Sequence, residues 1–103
     1  MAAAPGYGSL SAPALGAPAD GATWDSLPVF TWGNASGAAK YEFQLAGTPA
    51  FSPALVDTTT ANHRATVTKV LGNDTYYWRV RGVSSTGTNG PWSSARSFDY
   101  DWS

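Results

Sequence analysis

Alternation of apolar and polar side chains is the feature that most constrains the fold of this chain. The clearest case is the segment 40–45, with the sequence Lys-Tyr-Glu-Phe-Gln-Leu. Successive side chains of a β-strand point to opposite faces of the sheet, so this segment predicts a strand with one buried and one solvated face. No stretch shows the sustained apolar period of about 3.6 residues that is typical of a helix packed on a core. The pattern therefore predicts an all-β fold.

Further short runs of strand-forming residues, separated by turn residues, bring the number of predicted strands to seven. The predicted strands are residues 12–17, 28–32, 40–45, 55–59, 65–70, 75–84 and 92–100. The first contains Pro13 and is followed by Pro18, and proline cannot donate a ladder hydrogen bond, so we place this strand at a sheet edge. Seven short strands with this spacing are typical of an antiparallel, immunoglobulin-like β-sandwich.

The residues that share the apolar face of these strands form the predicted core. Five Trp, five Tyr and four Phe among 103 residues supply large apolar areas for a single domain. The predicted core residues are Phe30, Trp32, Tyr41, Phe43, Leu45, Val67, Leu71, Tyr76, Trp78, Val80 and Phe98. Arg96 lies two residues before Phe98 and so faces the core on a regular strand, which means that a β-bulge would be needed to keep Arg96 in water. We expect one domain at residues 11–100, between a flexible lead or linker at 1–10 and a linker toward a next module at 101–103.

Charge and composition exclude several classes of function. The formal net charge is -1 and the six Lys and Arg are scattered, so the chain has no positive field for nucleic acid. The absence of Cys excludes disulfides and thiolate zinc sites. No stretch approaches the roughly 20 apolar residues of a membrane span, and the start has no recognisable signal peptide. We expect no nucleic-acid partner and no membrane insertion, and the low charge with many Ala, Gly, Thr and Ser favours a secreted protein.

A set of aromatic residues at strand positions carries a family resemblance. Trp32 lies in the second predicted strand, Tyr41 in the third, and Leu71 precedes Thr75 and Tyr76 at the start of the sixth. In these positions the chain resembles the fibronectin type III family, and the last three residues are similar to the tyrosine corner of that family. The segments most similar to bacterial versions, which are repeated in secreted and surface proteins, are residues 75–81, 90–93 and 97–98. The resemblance implies a seven-stranded fibronectin type III sandwich, and the absence of an Arg-Gly-Asp motif argues against animal-type cell adhesion.

Residues capable of catalysis or metal binding are few and scattered. His63 is the only imidazole and lies in a polar stretch without a second ligand at recognisable spacing, so we interpret it as a solvent-facing loop residue. Asp99 and Asp101 offer carboxylates to Ca²⁺ at a module junction, but two acids are too few to specify a site. Lys40 and Lys69 are candidates for an intramolecular isopeptide bond, which requires a buried Lys. We therefore predict no catalytic residue, no metal site, no cofactor and no enzyme activity.

The outward face of the sixth predicted strand is the most informative polar feature. Arg79 and Arg81 stand two residues apart on that face, Tyr77 shares it, and Trp92 opens the neighbouring strand. An indole in this position can stack on a guanidinium in a cation–π pair. One interpretation is structural: these side chains stack in a row and cover the solvated face of the sheet. The other is a platform for a ligand, because Trp, Tyr and Arg are enriched at binding hot spots, and it makes Tyr77, Arg79, Arg81 and Trp92 the candidate ligand-binding residues.

These observations predict a structural spacer or display module of a larger extracellular protein, one unit of a tandem array. Its partners are then the neighbouring domains of the same chain, and Trp102 is expected to pack at the next junction. The first alternative is a binding module that holds a polysaccharide or a surface protein on the face of Arg79, Arg81 and Trp92, or on the end loops. The second alternative is an immunoglobulin-like module on a bacteriophage virion surface. We expect a monomer in isolation.

Overall fold

The computed structural model describes residues 10–101, which form two β-sheets packed face to face. This part of the chain contains eight strands and no helix, and so no helix that could cross a membrane. The strands are β1 (Ala22–Trp24), β2 (Phe30–Thr31), β3 (Lys40–Ala46), β4 (Val56–Thr60), β5 (Arg64–Ala65), β6 (Asp74–Val83), β7 (Asn89–Trp92) and β8 (Arg96–Tyr100). The larger sheet has the order β1-β8-β6-β3-β4, with β7 also paired to β6, and β2 and β5 form the smaller sheet. The predicted all-β sandwich is confirmed.

The number of strands is eight instead of the predicted seven, because the first and last predicted strands are built differently. Residues 12–17 form no strand, but a bridge between Leu15 and Trp32 and three backbone hydrogen bonds join this segment to residues 31–33. Prolines in and beside the segment remove donors that a longer ladder needs. The short strand β1, which lacks a detectable alternation, was missed, and it pairs with β8 in parallel instead of antiparallel orientation. The last predicted strand, 92–100, is divided between the end of β7 and β8.

The fifth predicted strand, residues 65–70, is much shorter than expected. Only Arg64 and Ala65 pair with β2. Beyond them Val67 and Leu71 are buried, but Val70 is 94% exposed. Among the described residues, the smaller sheet has no strand besides β2 and β5, so the residues just after Ala65 have no neighbouring strand to pair with. Only single apolar side chains of this stretch, those of Val67 and Leu71, reach the core.

The core between the sheets contains every residue that the sequence predicted for it. Phe30 joins the two sheets, because its ring centroid lies 5.0, 5.1 and 5.5 Å from those of Phe43, Trp78 and Phe98. Each aromatic pair of this kind stabilises the fold by about 0.5–1.5 kcal/mol beyond the burial of its area. Further buried apolar residues, which the sequence did not place in the core, are Ala35, Ala46, Phe51, Ala65 and Val83.

Tyr76 fixes the loop that leads into β6. Its hydroxyl donates a hydrogen bond of 2.7 Å to the carbonyl of Gly72, four residues earlier in the chain. Burial, reinforced by the negative charge of Asp74, raises the pKa of Tyr76 above its ordinary value. The predicted tyrosine corner is therefore confirmed.

Arg96 fastens the N-terminal segment to the larger sheet. It pairs with Trp78 in an unshifted register, so no bulge turns it outward. Its guanidinium instead donates to three backbone carbonyls, those of Leu15 at 3.0 Å, Gly16 at 2.6 Å and Pro18 at 3.0 Å. These carbonyls belong to the segment that forms no strand, so a charged side chain supplies hydrogen bonds that a β-ladder would otherwise supply.

Candidate functional site

The outer face of the larger sheet, which points away from the core, carries the candidate ligand-binding residues. Arg79 and Arg81 share this face because they alternate with buried residues along β6. The antiparallel register with β3 places Arg79 opposite Gln44 and Arg81 opposite Glu42. On the other side of β6, Trp92 of β7 lies opposite Arg81. We call these five residues the arginine ladder.

The guanidinium of Arg79 is held between two aromatic rings. Its Cζ lies 4.0 Å from the ring centroid of Trp92 and 4.2 Å from that of Phe51. Its Nε and Nη2 both donate to Oε1 of Gln44, at 2.9 and 2.7 Å, and Gln44 Nε2 donates to Oδ2 of Asp57 at 3.1 Å. Burial lowers the pKa of Arg79, but a guanidinium stays charged at neutral pH. Arg79 is thus immobilised by side chains of its own chain.

Arg81 is held by a carboxylate on the same face. Its Nε and Nη2 lie 2.7 and 2.6 Å from Oε1 of Glu42, and its Cζ lies 4.3 Å from the ring centroid of Trp92. Burial raises the pKa of Glu42 and the neighbouring Asp57 adds to the rise, while Arg81 opposes it. The two charged side chains keep 23% and 15% of their surface exposed, so solvent limits their attraction to about 1 kcal/mol.

Tyr77 lies on the same face but outside the arginine ladder. It is partly exposed and is flanked by Ala46 of β3 and Ser97 of β8. None of the hydrogen bonds or ring contacts of the ladder involves its side chain. The structure therefore brings together three of the four predicted residues, and Tyr77 remains beside them.

Three residues that contact the two arginines escaped the sequence analysis. Phe51 lies in the loop between β3 and β4, is buried, and has a positive φ of 55°, which is uncommon for a residue other than glycine. A single aromatic residue in a loop with two prolines was the only available signal. Glu42 and Gln44 were predicted to point outward, but their pairing with the arginines depends on the β3–β6 register.

The geometry of the arginine ladder suits stabilisation of the sheet better than chemistry. The N–H groups of both guanidiniums bind acceptors of the neighbouring strand, and the indole of Trp92 covers both cations. No Ser, Cys or Thr nucleophile is paired with a histidine on this face, since His63 lies elsewhere, in the turn between β4 and β5. Trp92 and Tyr77 are partly exposed on this face, and so are the side chains of the arginines and of their partners Glu42 and Gln44.

The other candidate residues lie apart from one another. His63 is exposed, and its ring packs edge-on against Tyr41 with the centroids 5.2 Å apart. Asp99 accepts a hydrogen bond of 2.7 Å from a threonine of β6. Lys40 and Lys69 are both exposed, so neither has the burial that an isopeptide bond requires. Within residues 10–101, no three His, Cys, Asp or Glu side chains come together as a metal site would need.

This chain is similar to known proteins in its structure, whereas comparisons of its sequence find no match. No protein-family model matches it, and no curated protein matches its sequence at a significant level. An Fn3-like protein from Clostridium thermocellum superposes with a TM-score of 0.63 and 28% sequence identity, over 87% of this chain and 95% of that chain. The structure of FN3tt gives a TM-score of 0.63 at 20% identity, over 90% of this chain and 99% of its own.

A third similar structure is a much larger enzyme. The α-L-rhamnosidase from Dictyoglumus thermophilum superposes with a TM-score of 0.66 and 13% identity, over 90% of this chain but only 12% of the enzyme. At this identity the likeness concerns the fold alone. The two small proteins match the chain over nearly their whole lengths. The chain is therefore a fibronectin type III-like β-sandwich module.

Proposed function

We propose that the chain is a non-catalytic structural module that spaces or displays other domains of a larger extracellular protein. The observation that carries this proposal is the use of the arginine ladder within its own sheet, with Arg79 bound to Gln44 and Arg81 bound to Glu42. The most ligand-like feature of the chain thus stabilises the fold. A similar sandwich makes up a small part of a rhamnosidase, which supports a role inside a larger protein.

The two ends of the described chain lie at opposite ends of the sandwich, as a spacer requires. Ser11 donates a backbone hydrogen bond to the carbonyl of Ser36, in the loop before β3. β3 begins at Lys40, which pairs with Val83 at the last position of β6. Tyr100 pairs with Asp74, at the other end of β6. Because β6 contains ten residues and a strand rises about 3.4 Å per residue, these ends are roughly 30 Å apart.

The end of the sandwich near Tyr100 exposes apolar side chains. Trp24 is 37% exposed and is paired with Tyr100, and Val70 is 94% exposed in the loop before β6. A neighbouring domain packed on this end would remove both side chains from water, which favours the junction. Trp102, which the sequence predicted at the junction, lies outside the described residues.

Two copies of the chain joined head to tail test the spacer proposal. We expect the maximum dimension in small-angle X-ray scattering to rise by roughly 30 Å on adding the second copy. We also expect the pair to unfold at a higher temperature than the single chain, and Trp24→Ala and Trp102→Ala to reduce this difference. Thr23→Ala, on the same strand as Trp24, is the control. A collapsed pair, or a pair that unfolds like the single chain in every variant, would refute the proposal.

A ligand-binding module is the second candidate function. The partial exposure of Trp92 and Tyr77 on one face favours it, because aromatic side chains dominate binding hot spots. A glycan array and a pull-down on insoluble polysaccharides, with wild type and Trp92→Ala, test this function. Binding that Trp92→Ala abolishes would support it, and no binding by the wild type would leave the spacer role.

The setting that we propose is the outside of a bacterial cell, as a secreted or surface protein. The low charge and the many small polar residues support this setting. A bacteriophage virion surface is the alternative. Identification of the domains that flank this module in the complete protein distinguishes the two settings.

A further inference from the structure

A groove runs along one side of the sandwich, between β4 of the larger sheet and β5 of the smaller sheet. Its volume is about 370 Å³. The lining residues are Thr58, Thr59, Thr60, Asn62, Arg64, Ala65 and Thr66. We call this feature the β4–β5 groove, and none of its residues belongs to the arginine ladder.

The β4–β5 groove is open because the smaller sheet does not extend over β4. Thr58 pairs with Phe43, whose side chain is fully buried in the core, so Thr58 lies on the inner side of the larger sheet. Thr58 is nevertheless exposed, since the smaller sheet ends at β5. The inner side of β4 is thus open at Thr58, between the partly buried Val56 and Thr60.

The edge of β4 that borders the groove is unprotected. Among the described residues, 10–101, β4 pairs only with β3, so the backbone groups on its other side have no ladder partner there. Natural edge strands are commonly blunted by lysine, by proline or by being very short. β4 contains five residues, Val-Asp-Thr-Thr-Thr, with neither lysine nor proline, whereas β1 at the opposite edge of the sheet has only three.

Arg64 gives the groove a positive charge. It is exposed, and within residues 10–101 we find no hydrogen bond or ion pair of its guanidinium. The single acid of β4, Asp57, pairs in register with Gln44 and accepts its hydrogen bond on the outer face of the sheet. Arg64 is therefore available to pair with an acidic group of a bound molecule.

We propose that the β4–β5 groove binds an extended peptide, which adds to the larger sheet as a strand along β4 and places an Asp or Glu side chain near Arg64. A peptide supplies the alternating N–H and C=O groups that an unpaired strand edge can bind. The groove also has room for side chains that point inward from the added strand. This binding function goes beyond the spacer role and does not depend on the arginine ladder.

Other occupants fit the groove less well. A second copy of this chain, paired through β4, would bring only Val56, Thr58 and Thr60 to the inner side, so Arg64 would gain no counterion. A polysaccharide would meet no aromatic ring among the lining residues. Charge and hydrogen-bonding pattern therefore favour an acidic peptide.

A random linear peptide library displayed on phage, selected on the immobilised full chain, is the probe. We expect enriched peptides that lack proline and carry Asp or Glu among β-branched residues. Thr58→Lys, which places a charge on the inner side of the edge, should raise the Kd of a synthetic enriched peptide by about tenfold. Thr23→Lys, on β1 at the opposite edge, is the matched control and should leave the Kd unchanged.

The role of Arg64 is tested with the same synthetic peptide. Arg64→Gln should raise the Kd by about fivefold, the loss expected for one partly exposed ion pair. The amide version of the peptide, with Asn or Gln for the acid, should bind Arg64→Gln as well as the acidic version does. Peptide binding to wild type should also slow amide hydrogen exchange at residues 56–60. This measurement tests pairing along β4 even if Thr58→Lys fails to fold, and unchanged exchange at these residues would contradict it.

Several results would overturn the proposal. These are the enrichment of no peptide, equal binding to Thr58→Lys and wild type, or binding that Trp92→Ala removes instead. Dimerisation that Thr58→Lys abolishes would assign the edge to a second copy. Retention of a polysaccharide that Arg64→Gln abolishes would assign the groove to a carbohydrate.

Discussion

The guanidinium carbon of Arg79 lies 4.0 Å from the centre of the Trp92 ring. The same indole lies 4.3 Å from the guanidinium carbon of Arg81. One aromatic ring therefore serves two cations that stand two residues apart on a single face of β6. The negative face of the indole offsets part of the repulsion between the like charges, and Glu42 offsets a further part.

The pair of Arg79 and Trp92 should show a measurable coupling. We expect a double-mutant cycle of Arg79→Met and Trp92→Leu to give a coupling free energy of about 1 kcal/mol. The free energies of unfolding come from urea denaturation at neutral pH. A cycle of Trp92→Leu with Arg64→Met is the control, because Arg64 lies outside the arginine ladder. A coupling for Arg79 no larger than that for Arg64 would contradict the stacked geometry.

Removal of the charge of Arg96 should loosen the N-terminal segment. Arg96→Met keeps most of the aliphatic stem but leaves the carbonyls of Leu15, Gly16 and Pro18 without their donor. We expect a loss of about 2 kcal/mol in the free energy of unfolding, since a hydrogen bond to a charged group contributes about 1.5–3 kcal/mol.

Local measurements make the Arg96 prediction specific. The amide of Gly16, which donates to the carbonyl of Thr31 at 2.8 Å, should exchange its hydrogen faster in Arg96→Met. The exposed Arg64 provides the matched control, and Arg64→Met should change the free energy of unfolding by no more than about 0.5 kcal/mol. Equal losses in the two variants would show that Arg96 does not hold the segment.

The hydroxyl of Tyr76 should contribute to stability, while that of its neighbour Tyr77 should not. Tyr76→Phe removes the hydrogen bond to the Gly72 carbonyl and should cost about 1 kcal/mol. Tyr77→Phe is the control and should stay within about 0.5 kcal/mol of wild type. Thermal and urea unfolding of both variants provide the measurement, and a Tyr76→Phe variant as stable as wild type would argue against the tyrosine corner as a stabilising element.

The titration of Glu42 should make stability depend on pH in a defined direction. Burial raises the pKa of Glu42 in the folded protein above its ordinary value of 4.5, so just above that pH the folded state holds more protons than the unfolded chain. The contribution of Glu42 to stability is therefore complete below pH 4.5 and is lost as the pH rises through the folded-state pKa. Relative to Glu42→Gln, which cannot titrate, wild type should lose stability over this range in urea denaturation.

Direct titration of the Glu42 carboxyl carbon by NMR checks the cause of this dependence. We expect a midpoint above 4.5, and a lower midpoint in Asp57→Asn, because Asp57 contributes to the rise in the pKa. A wild-type midpoint below 4.5 would show that the attraction of Arg81 outweighs burial, and the predicted pH dependence would then reverse.

The alternation of side chains predicted the buried face of each main strand, because the pleat sends neighbouring residues to opposite faces whatever the strand pairs with. Residues 40–45 and the buried residues Tyr76, Trp78 and Val80 of β6 were assigned correctly for this reason. The same reasoning failed for β1, which is too short to show a period, and for residues 66–70, which have strand-forming side chains but no neighbouring strand to pair with.

The side-chain pattern was enough to predict the sandwich, its core and the outward positions of Tyr77, Arg79, Arg81 and Trp92, because these depend on local patterns that burial selects. Which outward residues contact one another depends on the packed fold. Arg79 reaches Gln44 across 35 residues of chain, and the guanidinium of Arg96 reaches the carbonyl of Leu15 across 81. The free edge of β4 beside Arg64, seen within residues 10–101, is likewise a property of the strand order. Register and strand order follow from the packing of all the strands together, and no single segment encodes them.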